Sequence, residues 1–237
     1  TPPGRQAPRV SIPPQQQSNY EAVVQYYFPG QEHVILFPVS ADLLSSSSIL
    51  DSRSQALLLQ GWVQEAMPAR AEVSTSLLYQ ASRDGFGADD FHGKCDGESA
   101  TVTLVKTTEG FVFGGYCDQS WDERAGELCA PCGWKASPSA FVFSMVNPAH
   151  LAPSKQLQKT TGVHVEGKRA MQCDPNNGPL FGLGNDIHIC DHSNIRMHSY
   201  SRMGNSYILP AGQSEMAFLT GSKHFLVAEI EVFAVQQ

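Results

Sequence analysis

The sequence lacks any stretch of the roughly 20 consecutive apolar residues that a membrane-spanning helix needs. Its 16 lysine and arginine residues form no run, and charged residues make up only 16% of the 237 positions. Hydrophobic residues reach 41%, which excludes the wholly disordered and fibrous classes of protein. The formal net charge of −7 argues against a dedicated nucleic-acid-binding protein. We therefore expect a globular, mildly acidic protein with no nucleic-acid partner and no segment inserted in a membrane.

No apolar core of the signal-peptide type follows Thr1. Without such a leader, the six cysteines are expected to be reduced thiols, because disulfides persist mainly in oxidising compartments. The predicted location is the cytoplasm, where the protein is either free or held at a membrane or at a cytoskeletal or axonemal structure through a partner.

Motifs of well-known enzyme classes are also missing. The sequence contains neither a Gly-x-Ser-x-Gly nucleophile elbow nor a His-Glu-x-x-His metal site. The glycine-rich segments around Gly114-Gly115 and from Gly178 to Gly182 match neither the dinucleotide fingerprint nor the phosphate-binding loop. Glycine within a strand more often marks a bulge or a close backbone approach. We therefore predict no cofactor and no enzymatic activity.

One pair of cysteines, Cys129 and Cys132, forms a CxxC motif that could act in redox chemistry or bind zinc. A zinc site would need two further ligands, and the candidates are His92 with Cys95, or His188 with Cys190 and His192. The last three alternate along a predicted strand and would share one face. Because a second CxxC is missing, we favour ordinary thiols and imidazoles with no metal, and keep zinc at Cys129 and Cys132 as the alternative.

The first 48 residues differ in composition from the rest. Residues 1–18 contain five prolines and four glutamines, and proline both fixes φ and removes a backbone donor. This predicts an extended arm that is ordered only when something binds it. Residues 20–28 and 33–39 are rich in β-branched and aromatic side chains and predict two short strands, with a helix as the alternative for the first.

Two helices are predicted in the next part of the chain. Apolar residues recur at three- and four-residue steps from 52 to 66, which predicts an amphipathic helix capped by Asp51. Residues 88–95 predict a second, shorter helix whose first turn is acidic. Between them, the residues from Ser82 to Gly85 predict a turn in which glycine supplies a positive φ and the Arg83–Asp84 pair makes local polar contacts.

From residue 101 onward the sequence pattern predicts mainly strands. Residues 101–107 alternate between apolar and polar side chains, and Glu109-Gly110 predicts the turn of a hairpin. Near the end, Glu229 and Glu231 lie two apart on a strand and share a face, which we predict to be solvated, with contact to a basic partner as the alternative. The predicted fold class is α+β, an antiparallel two-sheet β-sandwich with flanking helices.

An ordered set of segments resembles the TLDc domain family. The segments are, in chain order, 78–86 with Ser82, Arg83, Asp84, Gly85 and Phe86, 91–96 with Phe91 and His92, 101–105, 113–116 with Gly114 and Gly115, 120–121, 140–144, 178–182 from Gly178 to Gly182, 186–189, 218–221, and 229–233 with Glu229 and Glu231. The resemblance covers residues 49–237 as a TLDc-like domain and leaves residues 1–48 as a separate arm. The segment 122–134, which holds the CxxC motif, is atypical of the family.

The resemblance implies a two-sheet β-sandwich and a protein-interaction role rather than a reaction. Family members, such as the oxidation-resistance proteins and the relatives of nuclear receptor coactivators, are linked to oxidative-stress resistance and to regulation of the vacuolar-type proton ATPase. We therefore expect a non-catalytic module that binds subunits of that ATPase or another large assembly. One alternative is a structural component of a cytoskeletal or axonemal assembly anchored by the arm. A second alternative is a thiol-based antioxidant enzyme that uses Cys129 and Cys132.

Overall fold

The computed structural model describes residues 20–28, 31–38, 44, 46–67, 73–122, 133–159 and 169–236. The predicted arm at residues 1–18 and the CxxC motif lie outside these residues. The helices are α1 (Arg53–Ala66), α2 (Ala81–Asp84) and α3 (Ala88–Cys95). The strands are β1 (Tyr20–Phe28), β2 (Gln31–Pro38), β3 (Ser74–Gln80), β4 (Thr101–Thr107), β5 (Val112–Cys117), β6 (Trp134–Lys135), β7 (Phe141–Val146), β8 (Ser154–Leu157), β9 (Met171–Gln172), β10 (Asn177–Phe181), β11 (Ile187–Cys190), β12 (Ser199–Ser201), β13 (His224–Phe225) and β14 (Val227–Gln236).

Two six-stranded antiparallel sheets form the domain, which confirms the predicted α+β sandwich. The first sheet has the order β3-β14-β4-β5-β7-β8 and the second has the order β13-β12-β11-β10-β9-β6. The last strand of the chain therefore pairs between β3 and β4, so that the two ends of the domain meet in one sheet. Strands β1 and β2 pair with each other in a separate hairpin, and the predicted helix alternative for residues 20–28 is wrong.

The core is divided into two layers. One cluster of buried side chains includes Phe113, Trp121 and Phe181. A second cluster packs beneath α1, where Trp62 lies beside Phe143 with ring centroids 6.2 Å apart. The predicted helix is confirmed, but the prediction that it buries one face is too narrow, because every residue from 56 to 63 is buried and the helix is covered on all sides over these two turns.

Two local predictions need correction. Ser52, not Asp51, caps α1. The Ser52 backbone is extended just before the helix, and its hydroxyl oxygen accepts a hydrogen bond from the Gln55 N–H at 3.3 Å. The predicted turn from Ser82 to Gly85 is the one-turn helix α2 followed by its capping glycine. The Gly85 N–H donates to the Ala81 carbonyl oxygen, and Gly85 then leaves the helix at a φ of +115°.

Candidate functional site

The segment from α2 to α3 carries the motif with which the family resemblance begins. Within it the Asp84 carboxylate accepts hydrogen bonds from Arg83 Nη2 at 2.6 Å and Arg83 Nε at 3.0 Å, and from the Gln80 N–H at 2.9 Å. The bond from the Arg83 guanidinium is the main reason that the pKa of Asp84 lies below its usual range. Arg83 also donates to the Leu78 carbonyl oxygen. This charged pair therefore bonds chiefly to its own segment.

Aromatic packing and a close glycine contact hold the same segment against the core. The Tyr79 hydroxyl donates to the Gly85 carbonyl oxygen at 2.6 Å. Gly85 has a φ of +115°, which favours glycine, and a Cβ atom there would lie 2.0 Å from Asp90 Oδ2 and would displace that carboxylate. Phe91 is buried with its ring 5.7 Å from that of Tyr79, and Phe86 packs against the same cluster from a half-buried position.

The His92 side chain ties α3 to the second sheet. Its Nδ1 atom lies 2.8 Å from Asp96 Oδ1, and its Nε2 atom lies 3.0 Å and 3.1 Å from the carbonyl oxygens of Asp174 and Asn177. Both ring nitrogens therefore face protein oxygen atoms, which leaves no lone pair directed at a metal. Cys95 is buried, and its burial raises the pKa of the thiol well above the usual range.

The second group of possible zinc ligands does not converge. Strand β11 ends at Cys190, and His192 follows in a turn with a φ of +52°, so the predicted shared face of His188, Cys190 and His192 is wrong. His188 stacks on Tyr200 with ring centroids 4.6 Å apart. The Cys190 thiol donates to the Arg196 carbonyl oxygen at 3.4 Å. Across the described ranges of the chain, no three histidine, cysteine, aspartate or glutamate side chains are placed to hold a metal ion. Zinc or redox chemistry at Cys129 and Cys132 stays a prediction.

The two glutamates of β14 do not form the predicted solvated pair. Glu231 is 0% exposed, and its carboxylate accepts hydrogen bonds from Ser47 Oγ at 2.5 Å, Ser48 Oγ at 2.8 Å and the Ser48 N–H at 2.8 Å. Among the described residues its hydrogen-bond partners are these neutral serine groups, and none of them is basic. Glu229 is half-buried and accepts from the Ser82 N–H at 3.0 Å, which links β14 to α2. The run of serines before Ile49 was the sequence signal for these donors.

The glycines of the motif differ in how closely neighbouring atoms approach them. A Cβ atom at Gly114 would lie 1.9 Å from the Thr103 carbonyl oxygen, and one at Gly115 would lie 2.6 Å from the Phe181 ring of the facing sheet. Gly178 has more room, since its nearest neighbour would be in ordinary contact at 3.4 Å. Gly182 has a φ of +79° in the turn after β10.

Beside that turn lies a buried carboxylate that the sequence analysis missed. Asp186 accepts backbone hydrogen bonds from the N–H groups of residues 204–207. Oδ1 accepts from Gly204 at 2.9 Å, Asn205 at 3.0 Å and Tyr207 at 3.4 Å, and Oδ2 accepts from Ser206 at 2.9 Å. Burial is the largest influence on this carboxyl group and raises its pKa to about 6.

The loop of residues 191–197, which was not predicted as part of a site, contacts the start of α3. Asp191 Oδ1 accepts from the Ala88 N–H at 2.9 Å, while Asp191 Oδ2 accepts from Arg196 Nη1 at 2.8 Å. The loop is further attached through the bond from the His192 N–H to the Phe86 carbonyl oxygen. From this base it exposes two large apolar side chains, Ile195 at 72% and Met197 at 57%. The signal in the sequence was this pair of apolar residues within an otherwise polar turn.

The chain forms an α+β sandwich domain. Its motif residues join α2 and α3 to the sheets, and the adjacent loop of residues 191–197 exposes apolar side chains. The family model described as the TLDc domain matches residues 43–236, nearly the whole chain. The chain therefore belongs to the TLDc domain family. The match begins ahead of residue 49, where the sequence analysis placed the start of the domain, and Leu44 is accordingly buried in the core beneath α1. None of the helices in the described ranges is both long enough and apolar enough to cross a bilayer.

Proposed function

We propose that this TLDc domain is a non-catalytic interaction module that binds a large protein assembly. The observation that carries the proposal is the pair of exposed apolar side chains, Ile195 and Met197, on the 191–197 loop. Single exposed apolar residues are common on protein surfaces. Two such residues within three positions, on a loop bonded to the family motif, are better suited to a protein contact.

The loop is already ordered before any partner binds. Asp191 is bonded to α3 and to Arg196, and the Val227 N–H donates to the Ser193 carbonyl oxygen at 3.0 Å. A partner would therefore lose little free energy in ordering the loop, which is the usual advantage of a preorganised surface. The charged groups of Asp191 and Arg196 would form a polar rim around the apolar pair, as in many interfaces.

Several groups that could act as catalysts are instead held in structural contacts. The Asp84 carboxylate is occupied by hydrogen bonds from Gln80 and Arg83 of its own segment, and the Glu231 carboxylate by hydrogen bonds from the distant Ser48. Burial raises the pKa values of the Tyr79 hydroxyl and of the Cys95 thiol well above their usual ranges, so neither supplies an anionic nucleophile near neutral pH. These features favour binding over chemistry.

We further propose that the bound assembly is the vacuolar-type proton ATPase, which is the partner expected from the family, and that any oxidative-stress role follows from its regulation. A cytoplasmic location suits this role, and the free thiols of Cys95, Cys117, Cys173 and Cys190 are compatible with a reducing compartment.

The test is a pull-down of ATPase subunits by the tagged chain from its own cells, with mass spectrometry as the readout. Burying each large apolar side chain is worth about 1.5–3 kcal/mol. The double variant Ile195→Ser and Met197→Ser should therefore weaken capture at least about tenfold, which corresponds to about 1.4 kcal/mol. Leu157→Ser is the matched control, because Leu157 is 54% exposed on the edge strand β8 of the first sheet.

Undiminished capture of the ATPase by the double variant would refute the role of the 191–197 loop. Recovery of tubulin or other cytoskeletal proteins only when residues 1–48 are present would instead favour the scaffold alternative. Thermal unfolding of each variant shows whether any loss of binding reflects a loss of folding.

A further inference from the structure

We propose that Ser48 is a phosphorylation site and that its phosphate releases residues 46–50 from strand β14. Ser48 is exposed, and its hydroxyl donates a hydrogen bond to the buried Glu231 carboxylate at 2.8 Å. The proposal depends on this contact alone and not on the identity of the partner assembly.

The Ser48 hydroxyl is one of the donors that stabilise the buried Glu231 carboxylate. Glu231 is buried, and of the three hydrogen bonds that the described residues donate to its carboxylate, two come from the Ser48 Oγ and N–H groups, both at 2.8 Å. The third comes from Ser47 Oγ. A buried carboxylate is tolerated only while such donors replace the water that it has lost. Any change that removes the Ser48 proton therefore acts directly on a buried charge.

The same contact positions two apolar anchors of the domain. Ile49 and Leu44 are buried in the cluster beneath α1, on either side of the serines. Ser47 Oγ also accepts hydrogen bonds from the N–H groups of Ile49 and Leu50, both at 3.2 Å. The serine contacts and the apolar anchors therefore hold residues 46–50 as one unit, and loss of the former weakens the latter.

The surroundings of Ser48 suit a protein kinase. Ser48 is the last of four consecutive serines, and Asp51 follows three positions later with an exposed side chain. An acidic side chain at this spacing is what acid-directed serine kinases read. The Ser48 hydroxyl also accepts a hydrogen bond from Gln80 Nε2 at 3.3 Å.

The chemical step is phosphoryl transfer from a nucleoside triphosphate. A bond forms between Ser48 Oγ and the γ-phosphorus, the bond from that phosphorus to the bridging oxygen of the nucleoside diphosphate breaks, and the hydroxyl proton passes to the base of the kinase. The product has lost the proton that bonded Glu231 and carries a charge of about −1.5 to −2. A dianion beside a buried carboxylate is repelled, so residues 46–50 separate from β14.

The experiment uses the full chain, an acid-directed serine kinase and Mg-ATP, with peptide mapping to locate the phosphate. Hydrogen exchange of the Ile49 and Leu50 amides reports release, because both donate to Ser47 Oγ in the bound segment. Phosphorylated protein should exchange at these amides at least about tenfold faster than unmodified protein. Ser48→Ala should prevent incorporation of the phosphate.

Charge variants provide a second, independent test of the repulsion between the two groups. Ser48→Asp should also accelerate exchange, whereas Ser46→Asp, which puts the same charge on an exposed neighbour, should change it less than about twofold. Glu231→Gln should reduce the effect of Ser48→Asp, because the repulsion needs both charges. The proposal is overturned if the kinase leaves Ser48 unmodified, if phosphorylated Ser48 leaves exchange unchanged, or if the two aspartate variants behave alike.

Discussion

The stability difference between the wild-type protein and an Asp186→Ala variant should decrease as the pH rises from about 4 to about 6. Burial raises the pKa of the Asp186 carboxyl to about 6, although the four backbone N–H groups of residues 204–207 act in the opposite direction. The unfolded chain has an ordinary aspartate pKa of about 3.9. Since the folded value is the higher one, the stabilising contribution of protonation is complete below about pH 4 and is lost as the pH rises through about 6.

The magnitude follows from the two pKa values. They differ by about two units, and each unit corresponds to about 1.36 kcal/mol, so the change amounts to about 3 kcal/mol. Urea unfolding of both proteins at a series of pH values between about 4 and 7 measures it, because groups common to the two proteins cancel in the difference. Asp186→Asn is the control, since it does not titrate but retains an acceptor. A difference that grows with pH would refute the reasoning and show that the four N–H donors outweigh burial.

Two further predictions concern crowded or buried positions of the sandwich. Gly114→Ala should lower the free energy of unfolding by about 3 kcal/mol, because a Cβ would lie 1.9 Å from the Thr103 carbonyl oxygen, whereas Gly178→Ala should cost less than about 1 kcal/mol. Urea unfolding compares the two variants, and equal losses would contradict the close approach. Burial raises the pKa of the Cys117 and Cys173 thiols to about 12, so an alkylating reagent at about pH 8 should label them only after unfolding. Labelling of either thiol in the folded protein would show that the core opens.

Local pattern was sufficient to predict much of the secondary structure. Residues 88–95 were predicted as a helix and form α3, and residues 101–107 were predicted as a strand and form β4. The acidic first turn of α3 and the alternation of apolar and polar residues in β4 are both visible within one short stretch of sequence. The exact first residue of a helix is harder to predict. Asp51 and Ser52 are both good capping residues, and the choice of Ser52 depends on backbone geometry that neither residue type specifies.

The glycines illustrate an intermediate case. The segments with Gly114-Gly115 and Gly178 were predicted to be structural because they match no nucleotide-binding motif. Only the packing of the sheets shows which of these glycines has space for a side chain. A Cβ atom at Gly115 would lie 2.6 Å from the Phe181 ring of the other sheet, whereas Gly178 has room for a methyl group. The residue type is the same in each case, and the difference lies in how near the neighbouring strand comes.

Periodicity and an ordered set of local motifs are sufficient to predict the α+β class, the extent of α1 and the membership of the family. The environment of Glu231, in contrast, depends on contacts formed in the folded chain. Its partner Ser48 lies 183 positions away along the chain, and they meet because β14 is inserted between β3 and β4. Alternation along a strand shows which residues share a face but not what covers that face. Burial of the carboxylate therefore follows from contacts between distant segments, which no local pattern contains.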